Sequence, residues 1–333
     1  MASTVNQAFN TFKKNVVNLD TDISKTARNS RDWLLEQIAN FKVKDNTFPV
    51  LYSDINIHFG SFARKTKIRE LDDIDLMIGL SAQGSTYIER TDKIEIDVAR
   101  VANDLLNLCH DNTSKLNSRK VINKFVSACS NIPQYSSAVI KRNQEAATLR
   151  LSSYTWNFDI VPSFMTTTNN AGVSYYLIPD GNGNWKKTDP RIDRDRTSRI
   201  NQAHNGNILD VIRVMKYWNR RPTMPTMPSY LLETMILDYY DNQTIAATQY
   251  VNFEFPEVIT HIHNNIMSPV YDPKDIQGDI NNLSNEDKTK IKDKAYSDYY
   301  KATDAIKLEQ DGEMEGSINK WREIFGDSFP EYG

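Results

Sequence analysis

The 333-residue sequence predicts an α+β fold in two portions, a mixed β-sheet part up to about residue 195 and a helical part beyond it. Three observations carry that expectation. Short alternating or wholly apolar runs, such as DINIHF at 54–59 and DIDLMIGL at 73–80, read as strands. DGNGNW between apolar-aromatic runs reads as a hairpin turn within 174–188. After Asp189-Pro190 the apolar positions recur at helical spacing almost to the C-terminus.

In chain order, Val5 to Phe41 has helical spacing, with Trp33, Leu34, Ile38 and Phe41 on the apolar face. Strands are expected at 54–59 and 73–80, the first ending at a Gly60-Ser61 turn. Residues 87–129 read as mostly helical, with Ile94, Val98, Val101, Leu105 and Leu108 aligned. A β-rich stretch follows at 136–141, 147–152 and 154–161, and then the 174–188 hairpin. Helices are expected at 205–221, 229–241, about 253–267 and about 285–310. NKWREIFGDSFPEYG closes the chain with a short helix and a Pro-Gly tail, expected to be loose. The corresponding domains are 1–195 and 196–333, and a cleft between two such lobes is a common place for a ligand.

Composition narrows the function classes. The 40 basic and 43 acidic side chains leave a formal charge of -3, which argues against a nucleic-acid coat or a polybasic membrane binder. Two cysteines, Cys109 and Cys129, are too few for a disulfide framework and form no CxxC pair. The N-terminus lacks an apolar signal core, and no stretch approaches a membrane span, so a cytoplasmic protein is expected.

The chemistry concentrates in GSFARKTKIRELDDIDLMIGL, from Gly60 to Leu80. Residues two apart on a strand point the same way, so Asp73 and Asp75 share a face while Asp72 points elsewhere. Paired carboxylates repel, and a divalent cation with oxygen ligands is the usual remedy. Asp159 in TWNFDIVPSF is a third carboxylate in similar apolar company. A third ligand allows two metals to clamp the attacking and leaving oxygens of a phosphoryl transfer. Gly60-Ser61 supplies backbone N–H groups and a hydroxyl for a phosphate. On the 205–221 helix, Lys216 falls beside the apolar stripe of Val211, Met215 and Trp218. His58 reads as structural, and His261 and His263 diverge on a helix, so none is taken as a ligand. Glu95 and Asp97, in what reads as a helix, also point apart.

These residues resemble the active-site signature of the polymerase-β-type nucleotidyltransferases. Within them, the chain most resembles the bacterial CD-NTases, relatives of oligoadenylate synthase and cyclic GMP-AMP synthase. NGNILDVIRVMKYWNRR and PSYLLETMILDYY are similar to that family's helical lobe, so the likeness covers nearly the whole chain. The resemblance implies that Gly60 and Ser61 hold a donor triphosphate and that Asp73 and Asp75 ligate two Mg²⁺ (or Mn²⁺) ions. It implies that Asp159 completes the second metal and acts as, or positions, the base for the acceptor hydroxyl, that Lys216, assisted by Ser229, touches the triphosphate, and that Tyr230 stacks on the donor base.

The implied activity joins NTPs, ATP among them, into a cyclic di- or trinucleotide, with pyrophosphate released. The product would activate a downstream effector in antiphage (CBASS) signalling. Some family members are joined to other molecules through a C-terminal residue, which makes Gly333 a candidate point for conjugation machinery. No clear nucleic-acid surface or zinc insertion is present. The alternatives are a linear oligonucleotide synthase, a transferase acting on protein or RNA, and a non-catalytic nucleotide-binding scaffold.

Overall fold

The computed structural model describes residues 1–333. Its nine strands are β1 (Ile57–Phe59), β2 (Asp73–Gly79), β3 (Thr86–Glu89), β4 (Ile94–Asp97), β5 (Val139–Asn143), β6 (Ala146–Arg150), β7 (Asn157–Met165), β8 (Tyr176–Pro179) and β9 (Trp185–Thr188). They form one sheet in the order β1-β2-β7-β8-β9-β4-β3, with β6 also on β7 and β5 on β6. Only β2 and β7 are parallel; every other pairing is antiparallel. The chain makes two compact units, one of Asp22–Ala63 and Glu70–Arg191, the other of Met1–Thr21, Arg64–Arg69 and Ile192–Gly333.

The first unit holds the whole sheet. The helix Ser118–Ser130 buries Val121, Ile122, Phe125 and Cys129, and Phe48 bridges the rings of Phe125 and Phe41. The expectation of helix through 87–129 fails over its first part, because β3 and β4 form a hairpin there. The deciding signal is the alternation Ile94-Glu95-Ile96-Asp97, which buries both isoleucines and turns both carboxylates to the other face. Glu95 and Asp97 therefore point the same way. Each is held below the usual carboxylate range, first by its hydrogen bond to a lysine, Lys93 and Lys115 respectively.

The second unit is helical: Val5–Phe12, Ile208–Arg220, Ser229–Asp241, Val251–Asn265, Asn285–Gln310 and Met314–Phe325, with most of Pro190–Ala203. The N-terminal segment, read in the sequence as one helix to Phe41, breaks at 18–20, and its first helix belongs here. Apolar burial explains why: the rings of Phe9 and Phe12 lie 4.9 and 5.2 Å from those of Trp321 and Phe325. The C-terminal tail is tied down rather than loose. Phe329 is buried in the same aromatic cluster, and Ala2 N–H donates to Glu331 O at 2.7 Å. Gly333 N–H closes the contact on Ala2 O at 3.3 Å.

Candidate functional site

The parallel pairing of β2 with β7 sets the three aspartates side by side. Asp73 pairs with Asn157 and Asp75 with Asp159. Paired residues on neighbouring strands project to the same face, about 4.8 Å apart along the ladder. Ile74, Leu76, Phe158 and Ile160 on the opposite face are buried, while Asp73, Asp75 and Asp159 are half-exposed. The carboxylates thus sit on the open face of a sheet whose other face is core. That placement lowers the cost of burying them, and their mutual repulsion remains.

The row extends across five strands. Asp75 pairs with Phe59 on β1, Asp159 with Thr148 on β6, and Thr148 with Lys141 on β5. Thr148 Oγ1 donates a 2.6 Å hydrogen bond to Asp159 Oδ1. In the next row Asp73 and Asn157 are followed by Arg150. Lys141 and Arg150 are exposed on this same face.

Gly60 opens a short helical turn, Gly60–Ala63, directly after β1. Its φ of +72° is the left-handed region, and a Cβ there would fall on the Asp75 carboxylate. Glycine is therefore required twice, by the backbone and by the approach of Asp75. Ser61 follows, partly buried in the same turn. No three acidic, His or Cys side chains anywhere in the protein converge closely enough to hold an ion as they stand. Within the trio, Asp159 is turned to Thr148 and Asp75 rests against Gly60.

The helical unit contains a different cluster. Lys216 is buried, not solvated beside its apolar stripe, and its Nζ donates to Glu233 Oε1 at 2.6 Å and to Thr66 O at 3.1 Å. Glu233 Oε2 accepts from Thr66 Oγ1 and from the Arg64 guanidinium, both at 3.1 Å. Burial alone would raise the Glu233 carboxyl, but Arg64 and Lys216 together hold it below its ordinary value. Burial pushes Lys216 down, against the pull of Glu233. Ser229 is exposed at the first turn of Ser229–Asp241. Beside it, the Tyr230 hydroxyl lies 2.8 Å from Asp193 Oδ1 and 2.7 Å from Asp272 Oδ1.

No protein-family model matches the chain. A probable cyclic nucleotide synthase of Bacillus cereus (strain VD146) is 46% identical over 335 residues, which span all of this chain and 99% of that protein. The chain belongs to the CD-NTase family of cyclic nucleotide synthases. Among solved structures, Escherichia coli MS115-1 CdnC with ATP matches at a TM-score of 0.70 and 15% identity, over 98% of both chains. Vibrio cholerae DncV in its apo form matches at 0.68 and 11% identity, over 98% of this chain and 96% of that one. At those identities the likeness is one of fold, the polymerase-β-like nucleotidyltransferase fold.

As a CD-NTase, the protein is a nucleotidyltransferase. Its sheet places Asp73, Asp75, Asp159, Gly60 and Ser61 in one unit, and Lys216, Ser229 and Tyr230 lie in the other. Sequence reasoning passed over Thr148 and Glu233. Glu233 carried a legible signal, since a lone carboxylate in SYLLETMIL demands a buried partner. Thr148 carried none, because only the strand register brings it to Asp159. No helix of the CD-NTase is long and apolar enough to cross a membrane.

Proposed function

We propose that this CD-NTase binds two Mg²⁺ or Mn²⁺ ions through Asp73, Asp75 and Asp159 and joins NTPs, ATP among them, into a cyclic di- or trinucleotide. The observation that carries this reading is the register that sets Asp75 beside Asp159 on an open sheet face, with Gly60 making room for Asp75. Three hard oxygen donors on one face suit those ions, which would neutralise charge on the transferring phosphoryl group.

The chain's own residues then have distinct tasks. Asp159 accepts the proton of the acceptor hydroxyl, oriented by the hydrogen bond that Thr148 gives its other oxygen. The hydroxyl oxygen bonds to the α-phosphorus, the bond from that phosphorus to the bridging oxygen breaks, and pyrophosphate leaves. Gly60 and Ser61 hold the donor phosphates through backbone N–H groups. Lys216 and Ser229 contribute further phosphate contacts, and Tyr230 stacks on the donor base. Lys141 and Arg150, exposed beyond Thr148 on the same face, would meet an acceptor's 5′ phosphates. A repeated transfer within the linear product closes the ring.

In this reading the product is a cytoplasmic second messenger that activates an effector in antiphage (CBASS) defence. CdnC has been solved in complex with HORMA-deltaN, and a protein partner is proposed here on that likeness alone. Conjugation at Gly333 requires the tail to leave its pairing with Ala2.

The test is incubation of the purified protein with all four NTPs and Mg²⁺ or Mn²⁺, then phosphatase treatment and mass spectrometry. A surviving species at the mass of a cyclic di- or trinucleotide is expected. Pyrophosphate release without one indicates a linear product, and a labelled protein or RNA indicates a macromolecular acceptor. No pyrophosphate release, together with nucleotide affinity indifferent to the metals, would return the protein to a binding scaffold.

A further inference from the structure

Tyr230 sits in a network that the reaction above does not use. Its hydroxyl has one proton and faces two carboxylate oxygens, Asp193 Oδ1 at 2.8 Å and Asp272 Oδ1 at 2.7 Å. It can donate to only one of them. Lys274 makes up the deficit. Its Nζ lies 3.0 Å from Asp272 Oδ1 and 3.3 Å from Asp193 Oδ2, contacts the Tyr230 hydroxyl, and stands over the Tyr230 ring, 4.0 Å from the centroid.

The loop that delivers this lysine is built around the same carboxylate. Asp272 is fully buried at its side chain and accepts the backbone N–H groups of Lys274, Ile276 and Gln277 at 3.2, 3.3 and 3.0 Å. The turn from 272 to 277 is therefore locked with the ammonium on the aromatic ring. A salt bridge that served only to fasten the loop to Asp193 would not require the ammonium to cover an aromatic face.

We propose that Asp193, Asp272 and Lys274 are positioning residues that fix the Tyr230 ring as a one-sided platform for the donor nucleobase, with the lysine backing the ring by a cation–π contact. The proposal rests on the reading that Tyr230 stacks on the base. The hydroxyl anchor sets the ring's angle, and the ammonium occupies one side, so a base meets the ring on the other. Tyr230 is only partly buried. Burial among these acids raises the Tyr230 hydroxyl's pKa, which keeps it a neutral donor.

The experiment is isothermal titration of the full chain, with Mg²⁺, against a non-hydrolysable ATP analogue and separately against inorganic tripolyphosphate. Variants are Lys274→Ala, Lys274→Arg, Tyr230→Phe and Tyr230→Leu, each checked by thermal unfolding. Lys274→Ala is expected to weaken the ATP analogue about tenfold and to leave tripolyphosphate within about twofold. Lys274→Arg should recover most of that loss, and Tyr230→Phe should reproduce part of it without removing the ring. Equal loss of both ligands in Lys274→Ala overturns the proposal, because the lysine then serves phosphate or fold. Full ATP-analogue affinity in Lys274→Ala, with loss in Tyr230→Leu, also overturns it and leaves the stacking role standing. An unchanged Tyr230→Leu removes the stacking role itself, and the clamp with it.

Discussion

The two units of this CD-NTase each present a charged site, and they build it in opposite ways. In the sheet-bearing unit the backbone does the positioning: strand register sets Asp73, Asp75 and Asp159 on one open face, with their apolar neighbours on the other. In the helical unit side chains do the positioning, and Lys216, Arg64 and Thr66 converge on a Glu233 that is 3% exposed. A site held by register keeps its shape when a charge is removed. A site held by buried ion pairs does not, because each charge has exchanged water for its partners.

The largest effect that separates the two concerns catalysis. Asp73→Asn combined with Asp75→Asn is expected to lower pyrophosphate release by about 10³-fold or more, since metal binding and charge stabilisation go together. Its melting temperature should stay within a few degrees of the wild type. A collapse in thermal unfolding would mean that the pair is structural and that the comparison is wrong.

For the helical unit the expectation reverses, with stability lost first. Glu233→Ala leaves the buried Lys216 and the partly buried Arg64 without their carboxylate, at a cost of about 3–5 kcal/mol in denaturant unfolding. Replacing both Lys216 and Glu233, as Lys216→Met with Glu233→Leu, should recover part of it, because the buried ammonium is gone and only the partly buried Arg64 is left without its carboxylate. The pH dependence has a definite sign. The folded-state Glu233 carboxyl lies below its ordinary value, so between the two the unfolded chain binds more protons. Its contribution is present above the ordinary glutamate range and is lost as pH falls through the folded value. Glu233→Gln should therefore show a shallower acid decline in stability than the wild type. An equally steep decline would assign that slope to other carboxylates.

The same contrast decides what could be read in the sequence. The alternation around Asp73 and Asp75 and the apolar frame of Asp159 are local patterns, and the structure sets all three on one face. The helices from Ile208 to Gln310 were legible within two or three residues, because long amphipathic periods are a strong signal. The β3–β4 hairpin was missed because Ile94 also fits a helical count with Val98, Val101, Leu105 and Leu108, a count that passes over Ile96. Lys216 could be located on its helix but not paired, since Thr66 and Glu233 lie 150 and 17 residues away. The Asp272–Lys274 turn carries no local pattern that marks its role. Its contact with Tyr230 spans 44 residues and has no local period.

Thr148 tests the comparison at its finest. If register alone places Asp159, losing the hydroxyl should leave the strand intact and change only how the carboxylate is aimed. Thr148→Val keeps the β-branched shape on β6 and removes the 2.6 Å donor. The expected result is a fall in kcat of about tenfold, with the KM for ATP unchanged, because orienting a general base is worth roughly one to two powers of ten. Thr148→Ser, which restores the hydroxyl and loses the methyl, should recover most of the rate. A packing role for Thr148 gives the reverse order, with valine near wild type and serine impaired. That outcome would leave Asp159 placed by its strand alone and would remove Thr148 from the site.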